Sequence, residues 1–289
     1  MKKVLSCSRR TDIPSCFLPE LKSWFRQGFV DVKPSQFGDT VNHIDLTPDK
    51  IHSIVFWSKD YTDMFNDTNF IAYLKQNYIC VFQYTLNGYS ESDIQSLLEP
   101  GIKHDLKTRL LAAQKIVVKF GNESLIWRFD PIILLCKKEE MSLFYRTNLH
   151  DIDFISETLH VFGIDKVIVS FLDTSYAKVK RRASEHNILY CEETDKNKKN
   201  LLFGIAKNLE RYGIKVFMCA RDKFVDDVYI FKSKCVDAEL LERLAGEPCD
   251  KDKDPSQRNE CGCTKSIDIG SYDMKCKHNC IYCYANTQE

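Results

Sequence analysis

Cys276, Cys280 and Cys283 are spaced C-x3-C-x2-C, and Tyr282 stands just before the third cysteine. Thiolates are the soft ligands that hold iron–sulfur clusters and zinc. Three of them can hold three irons of a [4Fe–4S] cube and leave the fourth iron open. An open iron can bind and break a substrate, and S-adenosylmethionine (SAM) is the natural candidate. Zinc is the competing reading: the triplet plus Cys261, Cys263 or His278 would make a closed tetrahedral site. Zinc sites usually pair their cysteines as two C-x2-C knuckles. Here there is one C-x2-C, and Cys261-Gly262-Cys263 is a tighter C-x-C. A third reading is a cluster that only transfers or carries electrons. It wants a fourth cysteine, which Cys261 or Cys263 would supply.

The chain has 289 residues and 13 cysteines, an odd number that leaves at least one thiol without a disulfide partner. Lys+Arg and Asp+Glu each number 41, so no net field draws the protein to nucleic acid or to an anionic membrane. A local basic patch, and nucleic-acid binding through it, stays open. No long apolar segment follows the N-terminal lysines, so a signal peptide is not expected. No apolar run reaches the roughly 18–20 residues that span a bilayer. The expectation is a cytoplasmic protein without a membrane partner, its thiols reduced. Clustered cysteines then point to metal. Scattered ones, such as Cys16, Cys80 and Cys136, read as small buried hydrophobes.

Short β-prone runs alternate with helical stretches. The runs are 3–7, 51–57, 78–85, 125–129, 166–172 and 214–219. Helices are expected at 18–29, up to 76, 105–119, from about Glu139, 151–162, 176–186, 198–212 and 237–245. The β-prone runs are apolar almost throughout, as strands covered on both faces are. Strict alternation implies crossovers and a parallel sheet. The expected fold is α/β: a TIM-like parallel (β/α) barrel or partial barrel of about six to seven strands, with an open doubly wound sheet as the alternative. Residues 1–247 would form the barrel. Residues 248–289 would be a Cys-rich, cluster-binding tail packed on its mouth. No G-x-G-x-x-G phosphate fingerprint is present.

In parallel barrels the functional groups gather where strands run into the following helices. Those positions yield Arg9, Arg10, Asp12, Lys59, Arg128 and Asp130 as a candidate catalytic set. An arginine inside an apolar strand needs an acidic partner or an anionic ligand. Arg128 is thus either paired with Asp130 or Asp12, or clamps a carboxylate or phosphate.

The segment Cys276-x3-Cys280-Ile-Tyr282-Cys283-Tyr-Ala resembles the radical-SAM signature, especially its form in the spore photoproduct lyase branch. The resemblance implies that Cys276, Cys280 and Cys283 ligate a [4Fe–4S] cluster and that Tyr282 lies near the adenine of SAM. Reductive cleavage of SAM would yield methionine and a 5′-deoxyadenosyl radical that takes hydrogen from a substrate, a small molecule or one of another class. The electron donor would be a protein such as flavodoxin or ferredoxin. Over nearly its full length the chain also resembles the prokaryotic domain-of-unknown-function 1848 family. The motifs are Ser8-Arg-Arg-Thr-Asp-Ile-Pro14, Ile54-Val-Phe-Trp-Ser-Lys59, Trp127-Arg-Phe-Asp-Pro-Ile132, Gln257-Arg258, Cys261-Gly-Cys263, Asp268-Ile-Gly270 and the cysteine tail. In radical-SAM proteins the triplet follows the first strand, whereas here it ends the chain. A circular permutation would explain this, with Ser266–Gly270 as the strand that usually comes first and Lys3–Ser8 as its neighbour.

Overall fold

The computed structural model describes residues 2–35, 40–89, 92–137 and 140–285. The chain begins with β1 (Lys3–Cys7), α1 (Ile13–Cys16) and α2 (Leu18–Gln27), then a hairpin of β2 (Phe29–Val32) and β3 (Asn42–Asp45). β4 (Ile51–Ser58) leads to α3 (Thr62–Asn66) and α4 (Thr68–Asn77); β5 (Ile79–Thr85) leads to α5 (Ser92–Leu98) and α6 (Leu106–Phe120). β6 (Leu125–Ile132) runs into a second hairpin, β7 (Leu134–Lys137) and β8 (Glu140–Thr147), before α7 (Ile152–Val161). β9 (Lys166–Phe171), α8 (Ala177–Glu185) and α9 (Asp195–Leu209) follow. The last elements are β10 (Lys215–Met218), β11 (Ile230–Lys232), α10 (Ala238–Ala245) and β12 (Ile267–Asp268).

Eight strands form one parallel sheet in the order β11-β10-β9-β6-β5-β4-β1-β12. The sheet is open, which corrects the expectation of a closed barrel. Its edges are the two shortest members, β11 and β12, and no ladder joins them among the described residues. The strand count rises above the expected six to seven because β11, of 3 residues, is too brief to show as an apolar run. β12 comes from the last forty residues yet pairs with β1, Leu5 opposite Ile267 and Ser6 opposite Asp268.

Successive strand residues face opposite ways. Leu5, Phe56, Phe82, Trp127 and Val169 pack with Leu21, Leu74, Ile116, Leu159 and Leu202 of the helices. Val4, Val55, Val81, Ile126 and Ile168 pack on the other face with Leu240 and Leu241 of α10 and with Cys263. This double cover is why the strands lack an apolar–polar alternation.

The segment expected as a helix from about Glu139 is instead β8, paired antiparallel with β7; Glu139 itself lies outside the described residues. Phe144, Tyr145 and Thr147 are strand formers, and they outweigh the helix-favouring Glu140, Met141 and Leu143 before them. Cys136 is joined to Cys191 by a disulfide rather than being a free buried thiol, whereas Cys16 and Cys80 are free and buried. No helix among the described residues is long and apolar enough to cross a membrane.

Candidate functional site

The polar residues predicted at the strand ends do collect at the C-terminal edge of the sheet. β1 ends in Ser8-Arg9, and the Asp268 carboxylate at the end of β12 binds them. It accepts from the Ser8 hydroxyl, from Ser6 Oγ (3.2 Å), from the Arg9 N–H (2.8 Å) and from the Gly270 N–H (2.9 Å). A Cβ on Gly270 would stand 2.2 Å from Ser8 Oγ, so the two strand ends touch only because that residue is glycine.

Beyond β12 the chain carries the cysteine triplet back over this edge. Asp12, N-cap of α1, accepts at Oδ2 from His278 Nε2 (2.8 Å), the Ser58 hydroxyl (3.0 Å) and the Lys59 N–H (2.8 Å). Burial opposes a charged imidazole, but the Asp12 carboxylate outweighs it and pushes His278 up to about 9. The Gly101 N–H donates to the His278 carbonyl at 3.0 Å, and the Ile281 N–H to Leu98 at 3.0 Å. Arg182 Nη2 donates to both the carbonyl (2.9 Å) and Oδ1 (2.8 Å) of Asn279. Asn279 has φ +50°, a left-handed conformation that asparagine tolerates better than most residues.

The thiols of Cys276, Cys280 and Cys283 are thus carried on a short loop pinned from several sides. A hydrogen bond from the Cys16 thiol holds Cys276 down at about 6, with positive His278 helping against burial. Burial pushes the Cys280 and Cys283 thiols up, while the Lys59 ammonium pulls both the other way. Among the described residues no three His, Cys, Asp or Glu side chains already surround a common point as a formed metal site would have them.

Beside the triplet lies a buried group that the motifs did not reveal. Glu99, at the end of α5, accepts at Oε1 from Lys59 Nζ (2.9 Å), Tyr89 (3.3 Å) and the Tyr282 hydroxyl. Burial alone would raise its pKa; the Lys59 and Arg109 charges outweigh that and hold Glu99 at about 2. Burial likewise disfavours a charged Lys59, yet Glu99 and Cys280 leave its pKa raised. Lys59 Nζ sits 5.4 Å over the Tyr282 ring. Tyr282, expected near an adenine, is buried, with its hydroxyl committed to Glu99.

A second grouping lies on the same edge. Arg128 pairs with Asp130, as one of the two sequence readings had it, and Asp130 also accepts from Ser170. Arg9 bonds Asp254 at 3.1 Å. Both guanidinium groups lie 5.3 Å from the Trp57 ring, which contributes cation–π attraction to each. Arg10 turns away to the tail, donating to the Gly270 carbonyl (2.8 Å) and covering Tyr272. The structure therefore brings Asp12 and Lys59 to the triplet, sets Arg9, Arg128 and Asp130 around Trp57, and leaves Arg10 as a brace. Cys261 and Cys263 lie with Cys235 in the core cluster on the α10 face, apart from the cluster that holds Cys280.

A search of curated proteins found no match to the chain. A family profile described as "Domain of unknown function (DUF1848)" matches residues 4–285, from the first sheet strand through the triplet. With both β1 and the thiol loop inside that match, the chain belongs to the DUF1848 family.

Proposed function

We propose that the Cys276–Cys283 loop cradles a [4Fe–4S] cluster and that the protein is a radical-SAM-type enzyme. The observation that carries this reading is the placement of three thiols, Cys280 buried and Cys276 and Cys283 half-buried, on one pinned loop beside Lys59 and His278 at the C-terminal edge of a parallel sheet. The donors suit the group: thiolates are its usual ligands, and Lys59 and His278, each held by a carboxylate, stand beside them. When bound, such a cluster supplies the electron that cleaves SAM to methionine and a 5′-deoxyadenosyl radical.

The chain's own residues do the rest. Asp12 fixes the loop through His278 and keeps that imidazole protonated. Lys59, held by Glu99, keeps a positive charge beside Cys280. Tyr282 and Tyr89 wall the site from water. In this reading the open sheet is a partial TIM-like ring whose first strand is β12, so the chain is a circular permutation of the usual order. A flavodoxin- or ferredoxin-like electron donor and a reducing, cytoplasmic setting follow from it.

Anaerobic reconstitution with iron and sulfide tests the proposal. SAM added to the reduced cluster should change the electron paramagnetic resonance spectrum and release 5′-deoxyadenosine. Substituting Cys276, Cys280 and Cys283 by Ala should abolish both. Stoichiometric zinc without iron in protein from its native host would sink the reading. One observation favours a second reading: the Cys16 thiol hydrogen-bonds Cys276 and could close the cluster as a fourth ligand, leaving an electron carrier. Cys16→Ser then separates the two. It spares the cluster and SAM turnover in the first and changes the cluster spectrum in the second.

A further inference from the structure

We propose that Cys219, Cys235, Cys261 and Cys263 form a second metal site, a mononuclear four-thiolate centre for Zn2+, independent of the triplet. The four come from three separate stretches of chain. Cys219 follows β10 and Cys235 follows β11, two parallel strands paired side by side. Cys261 and Cys263 arrive from the loop before β12. That loop is fastened to the Cys235 segment by the Thr264 N–H donating to the Val236 carbonyl at 2.9 Å. Gly262 lets it come close: a Cβ there would stand 3.1 Å from the Ser233 carbonyl.

Cys219 Sγ lies 3.8 Å from Cys235 Sγ. Cys263 Sγ accepts from the N–H of Val236, next to Cys235, and Cys261 stands two residues before Cys263 on the same loop. Four ligands at a zinc–sulfur distance of about 2.3 Å in a tetrahedron stand about 3.8 Å apart, the spacing of the first pair. Thiolates on separate irons of a cube are spread by an iron–iron edge and two further bonds, so the close pair favours one ion. Completing the tetrahedron means turning the end thiols, Cys219 and Cys261, onto the common point, with the thiol protons released to solvent.

The surroundings suit a charged thiolate group and not a plain apolar core. Arg128 Nη1 donates to Cys235 Sγ at 2.9 Å, and the Val236 N–H to Cys263 Sγ at 3.4 Å. Donors to ligand sulfur are what orient and tune a metal site. Four thiolates on a divalent ion carry two negative charges; Arg128, though paired with Asp130, still places a guanidinium N–H on Cys235 Sγ. Arg9 Nη2 is buried with no hydrogen-bond partner among the described residues.

The test uses the full-length chain with Cys276, Cys280 and Cys283 changed to Ala, so that the triplet contributes nothing. This variant should retain one equivalent of zinc. Exchanged with Co2+, it should show the intense sulfur-to-metal charge transfer and visible bands of a tetrahedral thiolate complex. Adding Cys235→Ser and Cys263→Ser should remove the metal. Should that variant fail to fold, Cys261→Ser, at a half-buried position, keeps three thiols and should bind Co2+ with a weaker charge-transfer band. Four freely titrating thiols in metal-free protein grown with zinc, a Cys219–Cys235 disulfide, iron with sulfide in place of zinc, or a Co2+ spectrum untouched by Cys261→Ser would each overturn the proposal.

Discussion

Glu99 is an acid kept ionised where water does not reach. Its carboxyl ionises at about 2 in the folded chain against an ordinary 4.5. The stability it adds is therefore complete above about pH 4.5 and is lost as pH falls towards 2, on the order of 3 kcal/mol. Glu99→Gln should flatten the acid limb of a stability–pH profile across that window, read by denaturant unfolding. It should also cost about 3 kcal/mol at pH 7, because Lys59 is left buried without its anion. Gly101 marks a second sensitive position. A Cβ there would stand 2.0 Å from the Lys277 carbonyl, a backbone atom that cannot swing aside. Gly101→Ala should lower stability by about 1–3 kcal/mol and speed proteolysis within the Cys276–Cys283 loop. The triplet stood out in the sequence because its spacing is local, within eight residues. Glu99 was not, since its partners Lys59 and Tyr282 lie 40 and 183 residues away in the chain. The same distance hid the approach of Cys16 to Cys276.

Strands and helices differ in how openly they announce themselves. The six apolar runs all became strands of the main sheet, because burial on both faces demands apolar residues at every position. The hairpins β2–β3 and β7–β8 and the edge strand β11 escaped notice, being short or half polar. β12 was expected from Ser266–Gly270, and its place beside β1 from the circular permutation that the resemblance implied. That pairing rests on few ladder bonds, so Asp268 matters disproportionately. Asp268→Ala removes the acceptor of two N–H groups and two hydroxyls, among them the fully buried Ser6. The expected loss is about 3 kcal/mol, at 1–3 kcal/mol for each buried group left unpaired. Hydrogen exchange should quicken at the Ile269 N–H, which donates to the Ser6 carbonyl, well before it does in β4–β6.

At the scale of the molecule, first and last strands lie side by side while the sheet stays open. Alternation of β and α foretold a parallel sheet, but closure depends on the geometry of the edges, on which an apolar pattern is silent. β1 and β12 are parallel neighbours, so re-cutting needs a linker that runs from the C-terminal edge of the sheet back to the start of β1. A chain rewritten as 248–289, a flexible linker of that span, then 1–247 should keep the native circular dichroism and thermal midpoint within a few degrees. A permutant that aggregates would mean that the order of synthesis, and not the finished contacts, selects this fold.

Of the two partners of β1, β12 is made long after it: Leu5 pairs with Ile267. A nascent chain therefore waits with that edge of β1 uncovered until β12 has been made. The Asp12–His278 clasp likewise cannot form on a chain that stops before His278, so the strand edge and the loop above it are completed together.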